Sequence, residues 1–502
     1  MRTQPNPPPA PIQSPFRPTP SARSDDGIYN SFYDNSTAPR TNTNVILNTA
    51  LRKKYPNLHL TISPTYSSNL LSFAAAGHAS ARPASTSEEI GSTSLPTDLK
   101  WRSYIPPPAR VSSSPGILID NVKFGRYVYT WCESEYILYN VVGAHNAYDE
   151  ELTYILGPSA AANDALLLAA CSYWNELHDE ILVFNNGYWS KNHKLWQEVQ
   201  KSSWDDVILA EEMKKSIKGE MEKFFGSKER YQRLKVPWKR GIIYYGPPGN
   251  GKTISIKAMM HTLSLYFPSP IPTLYVRSLS SYGGPEYSIQ SIFRQARTQA
   301  PCLLVFEDLD SLVTDNVRSY FLNEVDGLES NDGILMVGST NHLERLDPGI
   351  RKRPSRFDRK FFFGLPDMDE RILYCEFWRR KLGADGNDDN DDDDDGGETD
   401  VEKDPEVEFP QQLCKAIAGI TAGFSFAYIQ EAFVASLLAI AASEEEGANG
   451  RVEGQQVNTS ISWDGRYCTG DPDGDLDQFI LWREMKVQVQ ILREELDDGD
   501  SA

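Results

Sequence analysis

The fold is decided by the stretch Gly246-Pro247-Pro248-Gly249-Asn250-Gly251-Lys252-Thr253, which follows the apolar run Ile242 to Tyr245 and precedes the helix-compatible segment Ile254 to Leu265. In a strand, loop and helix of this kind, glycines allow successive backbone N–H groups to turn toward a polyphosphate. The lysine adds a positive charge at the outer phosphates, and the threonine offers a hydroxyl to Mg²⁺. We therefore predict a P-loop whose residues, from Gly246 to Thr253, bind a nucleoside triphosphate and its metal.

A second motif supplies acids. The segment Cys302 to Phe306 is a short apolar run, typical of a buried parallel strand, and it ends in Glu307-Asp308-Leu309-Asp310. Acids at the carboxyl end of such a strand lie at the crevice where a P-loop also opens. One carboxylate can then bind Mg²⁺ while its neighbour polarises the water that attacks the γ-phosphate. We assign Glu307 to the metal, together with Thr253, and Asp308 to the water.

A third apolar strand, Gly333 to Gly338, ends in Ser339-Thr340-Asn341. This arrangement predicts that the Asn341 amide lies beside the attacking water and the γ-phosphate, where it can sense the phosphate. Residues 347–359 follow as a basic cluster in an acidic chain. Guanidinium groups stabilise charge that develops on the γ-phosphate, sometimes from a neighbouring subunit. Taken alone, the cluster could also be a surface patch.

The order of these motifs resembles that of AAA-type ATPases. Members typically show Gly-Pro-Pro-Gly-x-Gly-Lys-Thr, a Walker B strand, an asparagine sensor and a second region of homology ending in Arg-Pro-Gly-Arg-Phe-Asp. Here residues 353–358 read Arg-Pro-Ser-Arg-Phe-Asp. The resemblance covers residues 203–374 and resumes near Thr421. It implies that Arg353 and Arg356 are arginine fingers acting across a subunit boundary, and hence a ring, usually a homo-hexamer.

The resemblance extends to the residues that contact the adenine base of ATP and to a loop that contacts a protein client. Residues 204–207 read Trp-Asp-Asp-Val and resemble the family stretch whose backbone cups the adenine, which implies that Asp206 and Val207 contact ATP. In members that thread polypeptide, an aromatic residue in the loop after the second strand faces the pore. The strand Leu274 to Val276 and the loop Ser281 to Gly284 resemble this pattern. Tyr282 is therefore the candidate for gripping a protein client, although loop tyrosines commonly pack on their own loop.

Two departures from the family pattern bear on activity. Most members carry Asp-Glu at the end of the Walker B strand, whereas this chain carries Glu307-Asp308. The same order resembles that of the mitochondrial AAA chaperone that assembles the Rieske iron-sulfur protein. In the lid, the usual Gly-Phe-Ser-Gly-Ala-Asp becomes Gly-Phe-Ser-Phe-Ala-Tyr at residues 423–428. Phe426 thus places a ring where a glycine normally lies against the nucleotide.

Composition excludes several classes of partner. The net charge of −20 argues against a nucleic-acid duplex as the main partner, because phosphate binding depends on clustered Lys and Arg, although it leaves room for a local basic pore. The longest apolar candidate, Ala432 to Ala442, is too short for a bilayer, so we expect no membrane span and no counterpart of the Rieske chaperone's anchor. The six cysteines show no paired spacing, which fits a reducing compartment without structural metal. Prolines near the amino terminus disfavour an import helix, so we predict an intracellular, soluble protein of the cytoplasm or nucleus rather than the mitochondrion.

Composition shifts divide the chain. Residues 1–97 are rich in Pro, Ser and Thr and, apart from residues 44–71, lack usable periodicity, so this region is predicted to be largely disordered. Residues 115–200 are predicted to form a small α+β domain. Residues 201–366 are predicted as an AAA α/β core and residues 367–502 as a helical lid, with an acidic disordered insertion at 384–405 and a polar insertion at 443–475. The fold class is α/β: a P-loop, RecA-like parallel sheet with a helical lid, preceded by the α+β domain.

Two main hypotheses about function follow, and a DNA-remodelling motor is a third that the net charge disfavours. The first is a motor that hydrolyses ATP with Mg²⁺ and remodels or unfolds protein clients as a ring. The second is a nucleotide-dependent scaffold or assembly factor that binds ATP with little turnover, which the Glu307-Asp308 order and Phe426 motivate. Substituting Asp308 by Asn discriminates the two, since only the motor depends on that carboxylate for its rate.

Overall fold

The computed structural model describes residues 43–84, 99–107, 115–145, 148–326, 329–353, 356–383, 407–448 and 476–499. The chain divides into two compact units, Met1–Glu176 and Leu177–Ala502. The predicted acidic insertion at 384–405 and residues 449–475 of the predicted polar insertion lie outside the described residues.

The first unit is built on an antiparallel sheet. Its elements in chain order are α1 (Thr43–Lys54), β1 (His59–Pro64), α2 (Leu70–Ala75), β2 (Ser80–Pro83), β3 (Leu99–Ile105), β4 (Ile117–Trp131), β5 (Ser134–His145), β6 (Tyr148–Gly157) and α3 (Ala160–Asn175). The sheet order is β1-β6-β5-β4-β2, and β3 also pairs with β4. Inward side chains of the strands, among them Tyr129 and Ile155, pack with Leu166 of α3. The predicted α+β character of this part of the chain is therefore present.

The start of this unit corrects the prediction of disorder over residues 1–97. Residues 43–83 form two helices and two strands, whereas residues 1–42 lie outside the described part of the chain. Leu51, Leu70 and Phe73 are buried against strands that lie far along the sequence. These elements are short, so their stability comes largely from tertiary contacts, and most of their residues lie in 44–71, the stretch of this region with usable periodicity.

The second unit contains a seven-stranded sheet with helices on both faces. Its elements are β7 (Ile181–Asn185), β8 (Tyr188–Asn192), α4 (His193–Gln200), α5 (Glu211–Phe225), α6 (Lys228–Leu234), β9 (Lys239–Tyr245), α7 (Lys252–Ser264), β10 (Thr273–Val276), α8 (Pro285–Gln299), β11 (Cys302–Phe306), α9 (Leu309–Leu312), α10 (Asp315–Asp326), β12 (Ile334–Thr340), a 3-10 turn (Leu343–Arg345), α11 (Pro348–Arg351) and β13 (Arg359–Phe362). The sheet order is β13-β9-β12-β11-β10-β7-β8. Every pairing is parallel except that of β7 with β8.

The central strands are apolar throughout because both faces of the sheet are covered. In β11, Leu303 and Val305 point into one core, and Cys302, Leu304 and Phe306 point into the other. Helices α5 and α7 cover the first face, and α8 and α10 cover the second. A continuous apolar run is what such double burial requires, which explains why these strands could be recognised in the sequence.

The β7–β8 hairpin corrects the predicted limit of the small α+β domain. We expected residues 181–184 within that domain, which was predicted to extend to residue 200. Instead β7 pairs in parallel with β10, with Leu182 beside Leu274, and so extends the sheet of the second unit. All of residues 181–184 are buried, which accords with a strand covered on both faces.

A helical lid follows the sheet. It contains α12 (Met368–Lys381), α13 (Gln411–Ile420), α14 (Phe426–Ala448) and α15 (Ile480–Gly499). Its core centres on Trp378, Phe433 and Trp482. These features confirm the predicted α/β class with a RecA-like parallel sheet and a helical lid. Among the described residues, none of the helices combines the length and the apolar character that crossing a membrane requires.

Candidate nucleotide site

The P-loop connects β9 to α7 at the carboxyl edge of the sheet. Two of its glycines are required by close contacts. Gly246 has φ of 142°, and a Cβ there would lie 2.1 Å from the Phe363 carbonyl oxygen. Gly249 has φ of 75°, and a Cβ there would lie 2.5 Å from the Ala427 Cβ in the lid. Both backbone conformations are rare for residues with a side chain, so the glycines permit the loop to pass between the sheet and the lid.

Lys252 is held inside the loop that it ends. Its Nζ donates hydrogen bonds to the carbonyl oxygens of Gly246, at 2.8 Å, and Pro247, at 2.7 Å. The side chain is buried, and burial lowers the pKa of its ammonium, while the nearby Asp308 acts in the opposite direction. The neighbouring Thr253 is exposed.

The P-loop opens onto a cavity of about 430 Å³. Three groups of residues line it: the loop and its helix, the polar ends of the strands, and the lid. They are residues 248–254, then Asp206, Ile208, Glu307, Asp308, Ser339 and Asn341, then Tyr374, Phe426, Ala427 and Gln430. The cavity thus brings Lys252 and Thr253 together with both predicted acids and the predicted sensor. Gly246 and Pro247 lie at the base of the loop, where they accept the Lys252 bonds.

The strand order explains why these polar groups meet. Strand β12 lies between β9 and β11, with Thr340 beside Tyr245 and Gly338 beside Phe306 in the register. The three strands therefore end at one edge of the sheet. The P-loop, Asn341 and the two acids follow these strand ends directly, which is the crevice where ligands of open α/β sheets bind.

Glu307 has its two carboxylate oxygens in different environments. The Tyr275 hydroxyl donates a short hydrogen bond to Oε2, whereas Oε1 is buried without a hydrogen-bond partner among the described residues. Burial first, and then this bond to Glu307, raise the pKa of Tyr275, so its hydroxyl remains a donor at neutral pH. A buried, unpaired carboxylate oxygen fits a hard divalent cation, and the Thr253 hydroxyl at the same cavity is a second ligand of the required type.

Asp308 immediately precedes helix α9 and has a left-handed backbone conformation, with φ of 50° and ψ of 53°. Its N–H donates to Ser339 Oγ at 3.3 Å, which ties the acidic turn to the end of β12. Asp310 is used differently, because its Oδ1 accepts a hydrogen bond from Thr340 Oγ1 at 2.6 Å. These two bonds fix the Asp308 turn relative to Asn341, while the Asp308 side chain remains exposed at the cavity.

The segment predicted to contact the adenine contributes through Asp206 and Ile208. The Asp206 carboxylate accepts a hydrogen bond from the Ser203 N–H at 3.0 Å, which shapes the turn. The Val207 side chain is only 1% exposed and lies in the core beneath the sheet, so contact with the adenine through its backbone stays a prediction. The Ile208 side chain lines the cavity.

The lid closes the cavity with aromatic residues. Phe426 begins α14, and its ring packs against Tyr374 with 5.0 Å between centroids. The Ala427 N–H donates to the Gly249 carbonyl at 3.1 Å, so the lid is bonded to the P-loop directly. Sequence reasoning identified Phe426 but missed Tyr374 and Gln430, for which no motif gave a signal.

The two predicted arginine fingers differ in environment. Arg353 is 59% exposed and forms one ion pair, with Asp326 at 3.1 Å. Arg356 is 7% exposed; its Nε and Nη2 donate to the Asp326 carboxylate at 3.0 and 2.7 Å, and its Nη1 donates to the Gly349 carbonyl at 2.7 Å. The expectation that Arg356 faces a neighbouring subunit is therefore corrected, since this side chain is buried and engaged within its own subunit.

The Tyr282 side chain is fully exposed. The loop that carries it is fixed at its base, because Ser281 Oγ donates to the Gly284 carbonyl at 2.7 Å and the Gly284 N–H donates to the Ser281 carbonyl at 3.2 Å. The turn thereby projects Tyr282 outward, and the ring does not pack on its own loop.

A P-loop at the carboxyl edge of a parallel sheet, with acids and an amide at the ends of adjacent strands, defines a nucleotide-binding protein of the P-loop class. Residues 242–365 match the family described as "ATPase family associated with various cellular activities (AAA)". Residues 242–365 of this chain therefore form an AAA-type ATPase domain.

Curated relatives agree with this assignment over part of the chain. The ATPase family gene 2 protein of Saccharomyces cerevisiae is 30% identical over 207 residues, covering 39% of this chain and 26% of the relative. Protein CdcH of Halobacterium salinarum is 33% identical over 202 residues, covering 38% and 27%. The cell division cycle protein 48 homolog of Archaeoglobus fulgidus is 33% identical over 165 residues, covering 31% and 22%. The match thus spans about a quarter of the length of these relatives, and the closer resemblance to the Rieske-protein chaperone stays a prediction.

Proposed function

We propose that this protein hydrolyses ATP with Mg²⁺ and uses the reaction to remodel protein clients as a ring of identical subunits. One observation carries the proposal: the P-loop, the Glu307 and Asp308 carboxylates and the Asn341 amide open onto a single cavity of about 430 Å³. The match of residues 242–365 to the AAA family supports the same chemistry.

Five polar groups of the cavity have roles in this proposal. Lys252 neutralises the outer phosphates from inside the loop. Bound Mg²⁺, with Glu307 and Thr253 as ligands, would neutralise charge on the β- and γ-phosphates. Asp308, whose side chain is exposed at the cavity, orients the attacking water and accepts its proton. Asn341 contacts the γ-phosphate and distinguishes the states before and after hydrolysis.

The base of ATP is proposed to lie between the Asp206 segment and the lid. Asp206 and Ile208 line one side of the cavity, and Tyr374 and Phe426 line the other. The two rings offer apolar surface of the kind on which a base can pack. The aromatic residue at 426 therefore takes the place of a glycine by contributing a wall to the site.

The proposed ring supplies a charge that a single subunit lacks at this cavity. Among the described residues, Lys252 is the only basic side chain lining it. Arg353 is exposed on the same subunit but outside the cavity, so it would act at the site of a neighbour, as arginine fingers of phosphoryl-transfer enzymes do. Arg356 would hold the Arg353 segment in place through Asp326 rather than act itself.

The proposed clients are polypeptides. Tyr282 is fully exposed on a loop with a fixed base, which suits an aromatic residue that grips a chain and moves with the nucleotide state. The client itself is not identified by these features, so a generic unfolded polypeptide such as casein is the appropriate first probe.

The proposal is tested by ATPase activity measured over a range of protein concentrations. Specific activity should rise with concentration, because each site needs a neighbour, and should vanish in Lys252→Ala. Arg353→Ala should be inactive at all concentrations, whereas Lys352→Ala, which removes the adjacent exposed cation, should resemble the parent.

Mixing variants tests the action of Arg353 across the boundary. Arg353→Ala retains an intact P-loop, and Lys252→Ala retains the finger, so an equimolar mixture should hydrolyse ATP faster than either alone. Activity that is independent of concentration, together with a mixture no better than its components, would contradict the ring.

The alternative is a nucleotide-dependent scaffold with little turnover. The observation that favours it is the exchanged acid order combined with the left-handed backbone at Asp308, which aims the shorter acid differently from a residue in the strand. Asp308→Asn decides between the two. A large loss of rate supports the motor, and tight ATP binding with a parental rate no higher than that of Asp308→Asn supports the scaffold.

A further inference from the structure

We infer that Tyr275 is a positioning residue for the metal site: its hydroxyl fixes one oxygen of Glu307 and thereby presents the other oxygen to Mg²⁺. The inference rests on the proposed function in that it takes Glu307 as a metal ligand. It adds a residue outside every nucleotide-binding motif in the sequence.

The sheet register brings the two side chains together. Strands β10 and β11 are parallel neighbours, with Tyr275 beside Val305. Glu307 follows Val305 by two residues, so it leaves the sheet on the same face as Val305 and Tyr275. The Tyr275 hydroxyl reaches along this face and donates its hydrogen bond to Oε2.

The hydrogen bond from Tyr275 affects the two carboxylate oxygens of Glu307 differently. With Oε2 engaged, the carboxylate cannot rotate freely, and Oε1 is left buried and without a hydrogen-bond partner among the described residues. Leaving such an atom unpaired is unfavourable unless something binds there. A cation at Oε1 would satisfy it, and the residue that orients a ligand in this way normally contributes to metal affinity.

The inference also gives a reason for the exchanged acid order. Glu has one more rotatable bond than Asp, so a glutamate at the first acidic position has more conformations to lose when it binds metal. Tyr275 removes part of that freedom in advance. The longer acid is thereby held as firmly as a shorter one could be.

The ring of Tyr275 has a packing role that must be separated from its hydroxyl. The side chain packs against the core that includes Val305. Tyr275→Phe keeps the ring and removes only the donor, so it is the informative substitution. Tyr244→Phe in β9 is the matched control, because the Tyr244 hydroxyl is buried without a hydrogen-bond partner in the described part of the chain.

The experiment measures binding rather than turnover. The 502-residue chain is titrated with a fluorescent, non-hydrolysable ATP analogue, mant-AMP-PNP, first in EDTA and then at increasing free Mg²⁺. Tyr275→Phe should bind the analogue like the parent in EDTA, and should need about tenfold more Mg²⁺ to reach the same affinity. Tyr244→Phe should match the parent in both conditions.

A double-mutant cycle shows whether Tyr275 acts through Glu307. In a Glu307→Gln background, Tyr275→Phe should cause no further change in the Mg²⁺ requirement. If Tyr275→Phe matches the parent while Glu307→Gln loses the Mg²⁺ dependence, the inference about Tyr275 is wrong and the proposed metal site stands. If Glu307→Gln also leaves the Mg²⁺ dependence unchanged, the assignment of Glu307 fails, and the inference fails with it.

Discussion

Replacing Arg353 and Arg356 separately by alanine should affect different properties: Arg353→Ala should abolish turnover with little loss of stability, whereas Arg356→Ala should lower the stability of the fold. Arg356 is buried and donates three hydrogen bonds, two to Asp326 and one to the Gly349 carbonyl. Breaking a buried ion pair costs roughly 3–5 kcal/mol. Asp326 keeps a second cation, Arg353 at 3.1 Å, and is itself about one-third exposed, so we expect a loss of about 2–3 kcal/mol for Arg356→Ala. Exposed Arg353 should contribute roughly 0–1 kcal/mol.

The measurement is the thermal unfolding midpoint of each variant beside its ATPase rate. At roughly 2–4 °C per kcal/mol, Arg356→Ala should lower Tm by about 5 °C or more, and Arg353→Ala should leave Tm nearly unchanged while abolishing turnover. Arg356→Lys should fall between, because lysine keeps the charge but cannot form the two-pronged pair. Equal Tm values for the two alanine variants, with turnover lost in both, would refute the argument from burial and restore Arg356 as a finger.

Three further predictions follow from particular contacts. The Arg356 guanidinium bonded to Asp326 holds the pKa of that carboxyl below its usual range, so its stabilisation is fully present above the unfolded value of about 3.9 and is lost as pH falls through the folded pKa. The difference in unfolding free energy between the parent and Arg356→Ala should therefore be constant from about pH 5 to 8 and shrink below about pH 4, as urea unfolding across pH will show. Gly249→Ala should weaken binding of mant-AMP-PNP by about tenfold or more because its Cβ would meet Ala427, whereas Gly383→Ala, also at positive φ but with open space around it, should not; equal affinities for the two would contradict the contact. Tyr282→Ala should lose stimulation of the ATPase by unfolded casein while Tyr282→Phe retains it, and stimulation that survives in both would remove Tyr282 from client binding.

The sheet and the P-loop were predictable because their signals are local. The glycines, Lys252 and Thr253 form one contiguous motif, and β11 is apolar at every position because helices cover both of its faces. The β7 strand has the same apolar character over residues 181–184. The sequence of β7 does not reveal which sheet the strand joins, because its partner β10 lies about ninety residues further along the chain. Its assignment to the small α+β domain was wrong for this reason.

The prediction of disorder at the start of the first unit was wrong for a related reason. Helix α2 buries Leu70 and Phe73 against side chains of the sheet and of α3. A helix of six residues has too few positions for a period to be visible, and its own hydrogen bonds cannot stabilise it. Composition alone therefore favoured disorder where tertiary packing determines the structure.

At the site, the sequence predicted the residues that follow strand ends. It did not predict most of those that lie within a neighbouring strand or on a lid helix. Glu307, Asp308 and Asn341 each follow an apolar run directly, so their position at the cavity could be predicted. Tyr275 could have been found only by placing β10 beside β11 in register. Tyr374 belongs to a lid helix with no motif at that position. The burial of Arg356 against the exposure of Arg353 could not be inferred, because a spacing of three residues does not specify which side chain faces the core.

The contacts of the lid link its last helix to the P-loop. Arg493 of α15 donates to the carbonyl oxygens of Ile420 and Ala422 and lies over the Phe424 ring. These residues directly precede Phe426 and Ala427, which form the wall of the cavity and the bond to Gly249. A shift of α15 must therefore either break the Arg493 bonds or move the start of α14 against a glycine that has no room for displacement. Because packed interfaces of this kind change between discrete arrangements rather than continuously, we expect a change at the P-loop on nucleotide binding to be accompanied by a change in the position of α15.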